Sequence, residues 1–181
     1  MNNKSICATL LALGCIAAPA MAENVAFTYT GFFDEQASMF RPDAQLTGSF
    51  SGIDKNNDRV LDLSEITAWK VADIDYLDCA GAPYYSCDTM AFSYSLDKKQ
   101  LNFSVFFHGS DPDGFMSTGR AIDSGVTDYS YQRWGGDSTE HTLSWTADTK
   151  FALTVPEPET YLMLLAGLGL TAALARRRKT A

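Results

Sequence analysis

Phe92-Ser93-Tyr94-Ser95-Leu96 is followed, after the polar Asp97-Lys98-Lys99-Gln100, by Leu101-Asn102-Phe103-Ser104-Val105-Phe106-Phe107, and this stretch decides the fold class. Phe92, Tyr94 and Leu96, and then Leu101, Phe103, Val105 and Phe107, recur at every second position. A period of two places these side chains on one face of a strand, so the segment reads as a β-hairpin with one buried face. The pattern continues on both sides. Upstream, Val25-Ala26-Phe27-Thr28-Tyr29 and Leu46-Thr47-Gly48-Ser49-Phe50 alternate in the same way. Downstream, Tyr129-Ser130-Tyr131-Gln132-Arg133-Trp134 runs into the turn Gly135-Gly136-Asp137, and Leu143-Ser144-Trp145 and Phe151 to Val155 follow. Roughly seven short strands separated by turn residues predict an all-β, β-sandwich-like domain over residues 23–154. No amphipathic helical pattern competes inside it.

The chain has 181 residues, with 14 basic and 22 acidic side chains and a net charge of −8. Five of the basic residues lie in the end segments, so residues 23–155 carry nine basic and twenty acidic side chains, a net charge of −11. Such a surface repels a phosphate backbone, which excludes nucleic acid as a partner and leaves cations as the small ligands of choice.

The two ends read as addresses. Residues 1–22 hold Lys4, an apolar run from Ile6 to Ala18 and the small-x-small Ala20-Met21-Ala22, the pattern of a signal helix removed by signal peptidase. Export makes the even pair Cys79 and Cys87 a predicted disulfide rather than a metal or catalytic pair, since the spacing is not C-x-x-C. At the other end, Val155-Pro156-Glu157-Pro158 precedes an apolar segment, 161–175, and then Arg176-Arg177-Arg178-Lys179. Fifteen helical residues span about 22 Å, short of a standard bilayer crossing, so the segment suits a temporary transmembrane helix in the inner membrane. The basic cluster would stay cytoplasmic.

This order of Pro-Glu-Pro, apolar helix and arginine cluster resembles the PEP-CTERM sorting signal of Gram-negative bacteria. The resemblance covers only residues 155–181. It implies processing by an exosortase and delivery to the cell surface or extracellular matrix, commonly in organisms that make exopolysaccharide. It says nothing of what residues 23–154 do.

One further motif carries chemistry. Asp54-Lys55-Asn56-Asn57-Asp58-Arg59-Val60-Leu61-Asp62-Leu63-Ser64-Glu65 resembles the twelve-residue EF-hand calcium loop at every liganding position. Asp54, Asn56 and Asp58 supply oxygens at positions 1, 3 and 5, Val60 a backbone carbonyl at 7, Asp62 position 9 and Glu65 the bidentate carboxylate at 12. Arg59 stands where the loop has Gly. A side chain at positive φ costs roughly 1–2 kcal/mol and brings a cation near the site, so one weak Ca²⁺ site is expected. The chain is expected to leave the loop as a short helix or strand near Ser64.

Other candidates are weaker. His108 and His141 have no metal-ligand spacing, Asp73, Asp75 and Asp78 read as turn carboxylates, and Asp111-Pro112-Asp113-Gly114 reads as a turn. No nucleophile, base and stabiliser can be assembled, so a non-enzymatic role is expected. Two functions follow: a calcium-stabilised surface or matrix component, or a carbohydrate-binding module for exopolysaccharide. Trp69, Trp134 and Trp145 discriminate between them. Burial favours the first, an exposed row the second.

Overall fold

The computed structural model describes residues 23–79 and 83–154. The signal segment 1–22, the tail 155–181 with its expected transmembrane segment, and residues 80–82 lie outside the described residues. The described chain forms eleven strands: β1 (Glu23–Asp34), β2 (Met39–Gly52), β3 (Val60–Asp62), β4 (Ile66–Val71), β5 (Ile74–Asp75), β6 (Tyr85–Ser95), β7 (Gln100–Ser110), β8 (Met116–Asp123), β9 (Thr127–Trp134), β10 (Asp137–Ser144) and β11 (Lys150–Thr154). Among these residues no helix is long and apolar enough to cross a membrane.

The domain is all-β, as expected, but its layers are not two separate sheets. All strands belong to one antiparallel sheet in the order β3-β6-β7-β8-β9-β10-β1-β2-β4-β5, with β11 paired to the first half of β1. The sheet curls until its two ends face each other. Phe27 of β1 and Trp69 of β4 meet Phe92 and Phe103 of β6 and β7: Phe27 and Phe103 have ring centroids 5.7 Å apart, Trp69 and Phe103 5.2 Å, and Trp69 and Phe92 4.9 Å. These rings, with Phe50, Leu46, Val71 and Val105, form the core.

Bulges account for part of the curl, because an extra residue bends a strand and sharpens its twist. In β1 the pairing with β2 shifts between Thr30 and Phe32, where Gly31 takes φ 87°, a left-handed conformation that glycine reaches without strain. The buried face therefore passes from Val25, Phe27 and Tyr29 to Phe32 and Asp34. In β6 the shift falls between Thr89 and Ala91 and leaves Met90 exposed.

Two links close the curled sheet. The first is covalent: Cys79, just after the edge strand β5, is bonded to Cys87 of β6, with Cα atoms 6.1 Å apart. The predicted pairing is present, and it joins opposite ends of the strand order. In the chain-entropy account this short loop contributes about 2.5 kcal/mol, so Cys87→Ser is expected to lower the melting temperature by roughly 10 °C. Calorimetry of both proteins checks this, and an unchanged melting temperature would remove the disulfide from the account. The second link is the segment between β2 and β4. Gly52 pairs with Ile66 on one side, while β3 pairs Val60, Leu61 and Asp62 with Ser95, Tyr94 and Ser93 of β6 on the other. The chain leaves this segment as the strand β4, without a helix.

Candidate calcium loop

Residues 53–65 leave β2, turn, run along β6 as β3 and return to β4. Leu61 is buried in the core and anchors the middle of the segment. The backbone takes the shape that the motif requires at its tightest point: Arg59 has φ 69°, and Asn57 has φ 61°. Positive φ at position 6 is what the missing glycine predicts, and Arg59 adopts it despite its side chain.

The carboxylates organise the turn. Glu65, with only 3% of its surface exposed, accepts from the Lys55 N–H at 2.8 Å and the Asn56 N–H at 3.3 Å through Oε1, and from the Asp62 N–H at 3.3 Å through Oε2. Asp54 Oδ2 accepts from the Arg59 N–H at 3.0 Å. Asn56 Oδ1 accepts from the Asp58 N–H at 2.9 Å, and Asp58 Oδ1 from the Val60 N–H at 2.8 Å. Position 12 thus reaches back to positions 2, 3 and 9 and closes the loop.

Arg59 does not point its charge into the loop. Its Nε and Nη2 donate to Asp97 Oδ1 in the β6–β7 turn, at 3.0 and 2.6 Å, and its carbonyl accepts from the Leu96 N–H. The hydrogen bonds and charge of Asp97 raise the Arg59 pKa, and those of Arg59 hold the Asp97 carboxyl below its ordinary value. The cation penalty expected from sequence is therefore reduced, because the guanidinium is engaged elsewhere. Asp97 itself carried no sequence signal beyond its place in a polar turn. Asp62 Oδ1 accepts from the Ser64 hydroxyl and N–H at 2.6 and 2.7 Å, and these bonds lower its pKa.

The fit to an ion rests on one atom. Asp54 Oδ1 is buried and has no hydrogen-bond partner, whereas a buried carboxylate oxygen ordinarily finds a donor or a cation. Asp54 Oδ2, Asn56 Oδ1, Asp62 Oδ1 and both oxygens of Asp58 and Glu65 are committed, Asp58 Oδ2 to Asn56 Nδ2 at 3.0 Å, and among the described residues no three Asp, Glu, His or Cys side chains converge on one point. The backbone is shaped for the motif, and its side chains hold one another.

The remaining candidates fall into place. Asp75 pairs with Lys70 and caps the Leu77 N–H, Asp73 sits in the β4–β5 turn, and Asp111 accepts from the Met116 N–H. His108 bonds the Tyr131 hydroxyl, and His141 bonds Asp34. The tryptophans divide: Trp69 is fully buried, Trp145 packs on Tyr29 and Phe32, and Trp134 is exposed.

The sorting residues Val155, Pro156, Glu157 and Pro158 and the cluster Arg176, Arg177, Arg178 and Lys179 lie outside the described residues. No curated protein and no solved structure matches the chain. The family comparison places the likeness in the tail: residues 154–179 match the PEP-CTERM protein-sorting motif, which supports sorting of the chain by an exosortase system to the cell surface.

Proposed function

We propose that residues 23–154 form a non-enzymatic surface or matrix component, delivered by its sorting tail and stabilised by one weakly held calcium ion in the 54–65 loop. The observation that carries the delivery is the match over residues 154–179. The observation that favours the ion is the orphaned Asp54 Oδ1 inside a loop whose backbone already takes positive φ at Arg59. Asp54, Asn56, Asp58, the Val60 carbonyl, Asp62 and Glu65 would hold it. The ion would supply charge neutralisation, since the twelve loop residues carry four carboxylates, Asp54, Asp58, Asp62 and Glu65, against Lys55 and the outward-turned Arg59. It would compete with backbone N–H groups for Glu65 and with Ser64 for Asp62. That competition supports an affinity of the weak extracellular class, about 10⁻⁴ to 10⁻³ M. The position in the fold supports a structural role: the loop is the non-covalent clasp between the two ends of the sheet.

Processing at the tail tests the delivery. Protein released from the surface of the exporting cells is expected to lack residues 161–181 by intact-mass measurement. A released species that still ends at Ala181 would overturn the sorting reading.

A further inference from the structure

The concave face of the sheet continues beyond the core. Along the register of β6 to β10, Val105 and Ile122 lie under the covering strands, and two rows further out the same face becomes polar. Tyr85, Gly109, Thr118, Gln132 and Thr139 form one cross-strand row, and Met116, Trp134 and Asp137 form the next. Residues of these rows line an open cleft of about 500 Å³, within the range of ligand sites.

Two aromatic rings are fixed in this cleft. Tyr85 lies flat across Gly109, where a Cβ would come within 2.7 Å of the ring, and it stacks on Phe107 with centroids 5.8 Å apart. Trp134, 61% exposed, meets the Phe115 ring edge-on at 6.1 Å, and the Gly135 N–H bonds the Phe115 carbonyl at 2.8 Å. Strand spacing puts Tyr85 and Trp134 about 16 Å apart, the span of a short run of sugar rings. Between them stands Thr118 of β8, whose hydroxyl donates to the Tyr131 carbonyl at 3.2 Å and can still accept; the Gln132 amide lies beside Trp134 on β9, and the Thr139 hydroxyl and Asp137 carboxylate follow on β10.

Exposed ring faces held rigid beside amide, hydroxyl and carboxylate groups match the two surfaces of a pyranose: apolar C–H faces that stack on aromatics, and equatorial hydroxyls that donate and accept. The charges argue against an anionic ligand. Arg120 is committed to Asp128 by bonds of 2.8 and 2.6 Å, and Arg133, the cation among the cleft-lining residues, sits 5.0 Å from the Tyr131 ring centroid and is offset by the carboxylates of Asp111 and Asp137 in the same lining. We propose that this cleft binds an uncharged polysaccharide chain, stacking sugar rings on Trp134 and Tyr85. The proposal depends on surface delivery only for where the ligand is met. It is independent of the calcium loop, which lies at the opposite end of β6.

Affinity electrophoresis of the exported protein tests it, in native gels containing hydroxyethylcellulose, dextran, galactomannan or mixed-linkage β-glucan, with alginate as an anionic control. Retardation by at least one neutral polymer is expected. Trp134→Ala should weaken that retardation at least tenfold without shifting the melting temperature, whereas Phe106→Ala, an exposed aromatic on the convex face, should leave it unchanged. The retained polymer should also slow oxidation of Trp134 by N-bromosuccinimide. No retardation in any neutral gel, retardation by alginate alone, or equal retardation of wild type and Trp134→Ala would overturn the proposal.

Discussion

Trp69→Ala is expected to lower the stability of the domain by about 3–5 kcal/mol, a large share of what a domain of this size possesses. Trp69 is fully buried, and its ring touches Phe27 and Phe50 from its own layer and Phe92 and Phe103 from the facing one. With Phe27 and Phe50, which also meet rings of the facing layer, it is one of the side chains through which the two ends of the curled sheet pack. Truncation removes the transfer free energy of an indole and leaves a cavity that strands held by ladder hydrogen bonds cannot collapse into. Urea denaturation measures the loss. Trp134→Ala is the internal control, because an exposed side chain of the same type should change stability by no more than about 0.5 kcal/mol. A loss below about 1 kcal/mol for Trp69→Ala would mean that the layers are not held together through this ring.

Glu65→Ala is expected to cost about 3 kcal/mol even without calcium. The carboxylate gathers the N–H groups of Lys55, Asn56 and Asp62, and each bond to a partly buried charged acceptor contributes on the order of 1 kcal/mol or more. Because these bonds hold the segment that clasps β2 and β4 to β6, the effect should spread beyond the loop, and amide exchange should quicken at β3 as well. Glu65→Gln keeps one carbonyl acceptor and should lose less. If Glu65→Ala matched wild type in urea, the clasp would be a surface turn without structural weight. Acid should act in the same direction. Asp62 and Asp97 have lowered pKa values in the folded chain, so the ties they make are fully present above the ordinary carboxylate range. They are lost as the pH falls through the lowered values.

The all-β class was legible because alternation in 92–96 and 101–107 reports one buried face directly, and residues 92–95 lie in β6 and 101–107 in β7, with Leu96 in the turn between them. Curvature was not legible. Val25, Phe27 and Tyr29 predict that the buried phase continues to Phe33, whereas the bulge at Gly31 transfers it to Phe32, and nothing in the local pattern marks a one-residue insertion. The same holds at Met90. β8 escaped notice because its inward positions Thr118 and Arg120 are polar, which only makes sense once the open end of the concave face is seen. The sandwich expectation therefore captured two facing layers and missed that one sheet supplies both.

At the loop, the twelve-residue spacing correctly anticipated positive φ at position 59, since that backbone requirement belongs to the motif rather than to the residue. The direction of the Arg59 side chain depends on Asp97, thirty-eight positions away, and contacts of that range are invisible to a spacing argument. The disulfide was legible for a different reason: export and an even cysteine count fix the pairing without any knowledge of the fold. The split among the three tryptophans could not be read at all, because period-two alternation places a side chain on a face without saying whether that face is covered.

Whether calcium strengthens the 54–65 clasp between the ends of the sheet is read from thermal unfolding of the exported protein in EGTA and in about 10 mM calcium chloride. With a dissociation constant near 10⁻³ M, mass action adds about 1.4 kcal/mol, a rise of a few degrees. Wild type should show that rise, and Glu65→Gln, which lacks the bidentate ligand, almost none of it. Equal shifts in the two proteins, or none in wild type, would contradict a calcium-strengthened clasp.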